Sequence, residues 1–176
     1  MYVLQVPLQW NRTLTGEVFG REGGRVSILA IKDTLKLAEE FERRLEAYYA
    51  DLRDRAENDG VRLLTQYLAR HTRRVAKALE DYEAAELRRM DCIPVKCNVA
   101  AFDPKSIFAG KKLPDSVSTE EVLDQALEFS AHLNSFYQSL MRLPLGSGPR
   151  ELFECLHGMA VRDGKELSKI KNIHYL

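Results

Sequence analysis

The sequence predicts an all-α fold, a four-helix bundle made of two antiparallel helix hairpins joined by a long crossover and preceded by a short extended arm. Three observations lead there. Apolar residues recur at steps of three and four through four separate segments, the spacing that lays one apolar stripe along a helix. The breaks between those segments run short, long, short, which is the loop order of a bundle with a single crossover. The second half of the chain also resembles the first. At the one constant offset that lays Phe41 over Phe129, Leu45 meets Leu133, Tyr49 meets Tyr137, and Leu64, Leu68 and Leu79 meet Leu152, Leu156 and Leu167. The two hairpins therefore read as copies of one helix pair.

At 176 residues the chain has the length of one ordinary domain and can bury a core of its own. Its 26 basic and 26 acidic residues cancel, so no global field attracts nucleic acid or an anionic membrane. No segment has the roughly 18 uninterrupted apolar residues that a bilayer span needs. The first residues also lack the basic start and apolar run of a secretory signal, so a cytoplasmic location is expected. Cys92, Cys97 and Cys155 are an odd and sparse set, unlike a disulfide scaffold, and reduced thiols are expected.

Residues 1–26 form the arm. Tyr2, Leu4, Val6, Leu8 and Trp10 alternate with their neighbours, the two-residue period of a strand. A lone strand is not stable by itself. The arm is accordingly either a docking element anchored by Trp10 or a loose, disordered tail. The bundle occupies 27–176. Its first helix spans about 28–56, with Ile31, Leu35, Ala38, Phe41, Leu45, Tyr48 and Leu52 on one face. Asn58, Asp59 and Gly60 make a turn, and Leu64, Leu68, His71, Val75, Leu79 and Tyr82 continue the period in a second helix over about 61–90. Residues 91–117 carry Pro94, Pro104, Gly110 and Pro114 without a sustained period and read as the crossover. Ser118 and Glu121 have the spacing of a capping box and open a third helix, about 119–142, whose stripe is Val122, Ala126, Phe129, Leu133, Phe136 and Leu140. Pro149 suits a first helical position and opens a fourth, about 149–171, carrying Leu152, Leu156, Met159, Asp163, Leu167 and Ile170.

A helix bearing Glu-x6-Tyr (Glu42 and Tyr49), a partner helix, a long crossover and a repeat of both resembles the ferritin-like superfamily, its rubrerythrin-like branch most closely. The resemblance covers about residues 28–171. It implies a carboxylate-bridged di-iron centre, with one Glu from each of the first and third helices and a Glu-x-x-His from each of the second and fourth. Two iron ions need several anionic oxygens for charge and an imidazole each for geometry. Carried over by position, Glu42 matches the first-helix Glu, but Ser130 stands at the third-helix position. Thr72 and Val75 stand on the second helix, and Ala160 and Asp163 on the fourth. Neither the second nor the fourth helix contains Glu-x-x-His in any register. The ligand set is degenerate, and no cofactor is expected.

What remains is a polar set at the bundle centre: Glu42, His71, Thr72, Ser130 and Asp163, with Tyr49 and Tyr137 nearby. As metal ligands the candidates are Glu42, Asp163 and His71, with His157 as a second imidazole, and the metal would then be iron or another divalent ion. Without metal, buried carboxylates must find hydroxyl partners or take up protons. Three functions fit these residues. The favoured one is a binding or structural module without covalent chemistry, self-associating as a homodimer through helix faces or the arm. The second is a metal-dependent oxidoreductase or peroxide-handling protein with a rearranged site around Glu42 and Asp163. The third is a small-molecule carrier using the bundle core. Arg70, Arg73, Arg74 and Lys77 form a basic stripe and Glu39 and Glu46 an acidic one, features of solvated faces with weak pairs. His132 points away from the centre. Cys92-x4-Cys97 lacks metal-knuckle spacing, which leaves ordinary thiols or a redox-sensitive pair. Gly158 and Gly164 allow close helix contact or a kink, at about 1 kcal/mol each.

Overall fold

A computed structural model describes residues 17–19, 25–86, 94–97 and 102–173. Four long helices form as the apolar period requires: α1 (Ile31–Arg55), α2 (Asp59–Glu86), α4 (Thr119–Met141) and α5 (Ser147–Ile173), with a short α3 (Pro104–Phe108) inside the crossover. Asn58 is the N-cap of α2 in effect. Its side-chain oxygen accepts from the N–H groups of Gly60 at 2.7 Å and Val61 at 3.3 Å, so Asp59 and Gly60 belong to the helix rather than to the turn. A Cβ on Gly60 would come within 3.0 Å of that oxygen. The capping box of α4 is present in both directions: Ser118 Oγ accepts from Glu121 N–H at 3.2 Å, and the Glu121 carboxylate accepts from Ser118 N–H at 2.9 Å.

Two boundaries differ from the sequence expectation. The first helix does not start at Ile28, because residues 25–30 are extended. Strands β1 (Glu17–Phe19), β2 (Arg25–Ala30) and β3 (Pro94–Cys97) form an antiparallel sheet in that order. Val18 lies opposite Val26, and Leu29 opposite Val95. Ile28, Leu29 and Ala30 fit a helical stripe as well as a strand, and the partner that decides between them is about 65 residues away in the chain. The crossover is likewise not structureless, since it supplies β3 and α3. The last helix begins at Ser147, which puts Pro149 inside its first turn, where it is buried. The alternating pattern at residues 2–10, Cys92, residues 87–90 and His174 lie outside the described residues.

α1 packs along α2 and α4 along α5, as two hairpins. Between the pairs, α1 meets α4 through rings. Phe41 and Tyr48 each sit edge-on to Phe129, with centroids 6.3 and 5.3 Å apart. Phe102 stacks on Phe136 at 4.0 Å and Phe108 on Phe129 at 4.6 Å, so the crossover closes one side of the bundle with aromatic surface. Asp103 caps α3 by accepting from the N–H groups of Lys105 and Ser106. The core is in two parts. One is the aromatic cluster around Phe41, Phe129, Phe136 and Phe153, and the other is a smaller group around Tyr49, Leu52, Val61, Leu68 and Val122.

Candidate functional site

A cavity of about 60 Å³ lies between the four long helices, lined by residues of both core clusters. That is room for a few waters. All six positions that the ferritin-like pattern assigns to ligands line it: Glu42 on α1, Thr72 and Val75 on α2, Ser130 on α4, Ala160 and Asp163 on α5. The six positions implied by the resemblance thus lie on one wall. Tyr49 and His71 line it too. Tyr137 does not, although it is buried and feels the Glu42 charge. His157 is also absent from the wall.

Glu42 is 4% exposed. Burial pushes its carboxyl up to about 8, His71 pulling it back down and Asp163 adding to the rise. Such a carboxyl is largely protonated at neutral pH. Among the described residues it makes no hydrogen bond. The expectation that hydroxyls hold it is corrected: the Thr72 hydroxyl donates instead to the Leu68 carbonyl, one turn back, at 2.8 Å. Such back-bonding satisfies a buried threonine within its own helix. Asp163 finds a partner other than a hydroxyl. Its Oδ2 is 3.1 Å from His71 Nε2 across the α2–α5 gap, within ion-pair distance but outside aligned hydrogen-bond geometry, so the buried Nε2 has no straight acceptor. The Asp163 contact still raises the His71 imidazole above its ordinary value, against the opposing effect of burial. Burial likewise raises the phenols of Tyr49 and Tyr137.

Tyr67 and Glu166 complete the wall and were not anticipated. The Tyr67 hydroxyl donates to Glu166 Oε1 at 2.7 Å, bridging α2 and α5 at the mouth, where Tyr67 is 44% exposed. The signal was available, since Tyr67 is one turn before His71 and Glu166 one turn after Asp163, and such neighbours share a helix face. Gly164 has a local reason: its Cβ would lie 3.0 Å from Ser130 Oγ, whereas a Cβ on Gly158 would meet nothing within 4 Å. Arg73 of the basic stripe pairs with Glu46 on α1 at 2.5 Å. His132 is a half-exposed surface residue 3.9 Å from Glu128. Cys155 is a free, exposed thiol.

The donor set decides what the site can hold. Among the described residues no three His, Cys, Asp or Glu side chains are placed to hold a metal ion. A di-iron pair calls for four carboxylates and two imidazoles, and four of the six positions here carry Ser, Thr, Val and Ala. The residues do not fit that group.

Helix order, crossover and convergent register together define a ferritin-like four-helix fold. The chain is similar to a solved structure from Thermotoga maritima described as a ferritin-like diiron-carboxylate protein, with a TM-score of 0.57 and 18% sequence identity over 82% of this chain and 96% of that one. At that identity the likeness concerns the fold. The sequence matches no family model, and no curated protein matches it. Among the described residues no helix is long and apolar enough to cross a membrane.

Proposed function

We propose that this chain is a ferritin-like bundle, of rubrerythrin-like descent, that has lost its di-iron centre and serves as a binding module through the polar cavity that remains. One observation carries the reading: the six ligand positions converge on a single cavity, and Thr72, Val75, Ser130 and Ala160 occupy four of them. A hydroxyl, a methyl or an isopropyl group cannot replace a bridging carboxylate or an imidazole as a ligand to iron. Metal analysis of protein purified without chelator tests this. Well under one ion per chain is expected for iron, manganese and zinc. Two ions per chain that disappear in a Glu42→Ala variant would instead make it a metal-dependent oxidoreductase with rearranged ligands.

Self-association as a homodimer belongs to the same proposal. Its support is apolar side chains left in water, with Leu63 and Ile173 each 69% exposed. Light scattering at micromolar concentration should give the mass of two chains, and a monomer at that concentration would remove this part.

A further inference from the structure

The chemistry of the cavity wall restricts what it can bind, granted the reading that no metal pair sits there. Among the described residues its lining contains three carboxyls, Glu42, Asp163 and Glu166, and one imidazole, His71, but no Lys or Arg. An anion would find no cationic side chain there except the single imidazole that Asp163 already engages. A hydrated divalent ion fits poorly, because no three donors converge and much of the wall is the hydrocarbon of Leu45, Leu68, Val75 and Leu133 with the rings of Phe41 and Phe129. The one carboxyl on the wall that is buried, Glu42, is 4% exposed and makes no hydrogen bond to a described residue, its oxygens facing the cavity space it lines. A buried carboxyl without a donor is costly, and what would satisfy it is a compact positive group with N–H bonds to give.

We propose that the cavity binds the ammonium head of a short primary alkylamine, with Glu42 accepting its N–H bonds. The rings of Phe41, Tyr49 and Phe129 are part of the same wall, and aromatic rings near a cation favour it. The leucine and valine side chains take the methylene groups. Tyr67 and Glu166 flank the mouth, where the rest of the ligand leaves for solvent.

The test is calorimetric titration of the full, chelator-treated chain at pH 8 with n-propylammonium chloride, against n-propanol and sodium propionate as neutral and anionic mimics of the same size. Saturable binding of propylammonium is expected at least about tenfold tighter than propanol, the worth of a hydrogen bond to a charged group, with none for propionate. Glu42→Gln should weaken it by about tenfold while the circular dichroism spectrum is unchanged. Asp163→Asn, at a half-exposed position that does not threaten the fold, should weaken it by a smaller factor. Equal binding of propanol or propionate, unchanged affinity in Glu42→Gln, or no saturable binding overturns the inference. Metal content of a parallel batch purified without chelator separates the two failures: two ions per chain sink the loss of the metal centre and this inference together, whereas protein that carries no metal in that batch and ignores the amine sinks only the amine.

Discussion

Glu42 is the residue at which burial and chemistry conflict most. In the unfolded chain its carboxyl ionises near the ordinary value of 4.5, but in the fold burial keeps its proton on up to about 8. Between those two values the unfolded state holds fewer protons than the folded state, so raising the pH favours unfolding across that window and levels off above it. His71 acts in the same direction. Its raised value gives stability that is full below its ordinary 6.5 and is lost as pH rises through the folded value. Stability should therefore fall between about pH 5 and pH 8. Glu42→Gln keeps the shape and removes the ionisation. Its urea midpoint should lie close to wild type at pH 5 and well above it at pH 8.5, a free-energy difference on the order of 5 kcal/mol at about 1.4 kcal/mol per pKa unit. Parallel pH profiles for the two proteins would show that Glu42 is not the group responsible.

At the scale of elements, α5 holds two interior glycines that look equivalent in the sequence and are not. Gly158 faces open space, and Gly164 sits where a Cβ would press on Ser130 Oγ of α4 at 3.0 Å. Replacing an exposed helical glycine by alanine removes backbone freedom from the unfolded chain. Gly158→Ala should therefore raise stability by about 1 kcal/mol. Gly164→Ala should gain less, because Ser130 must turn away to make room. Denaturant midpoints of the two variants measure the difference, and equal gains would mean that α4 and α5 are not in close contact there. The start of α4 could be read from sequence because its signal is local: Ser118 and Glu121 satisfy each other's N–H groups whatever the rest of the chain does. The start of α1 could not. Leu29 and Ala30 fit either period, and only pairing with Val95 and Pro94 in the crossover makes them a strand.

For the whole molecule, the bundle follows from the period and the internal repeat, both of which depend on residue type alone, whereas the positions of its central site come from the resemblance to the ferritin-like pattern. The positions carried over from the ferritin-like resemblance, Glu42, Thr72, Val75, Ser130, Ala160 and Asp163, all line one cavity. The contacts inside it were not foreseeable in the same way. Asp163 meets His71 and Tyr67 meets Glu166 across the gap between α2 and α5, and such pairs depend on helix rotation and rotamer choice rather than on spacing. Thr72 was expected to help hold a carboxylate and instead satisfies its own helix. The aromatic closure by Phe102 and Phe108 was hidden for another reason, since it lies in a crossover too irregular to show a period.

The convergence of six family positions on a cavity with too few metal-binding side chains is the claim on which the functional reading stands. Its most direct test is an anomalous difference map from crystals grown in millimolar manganese(II). The account predicts no pair of peaks between the four long helices. Two peaks about 3.5 to 4 Å apart, the separation of a working two-metal site, within reach of Glu42 and Asp163, would contradict it.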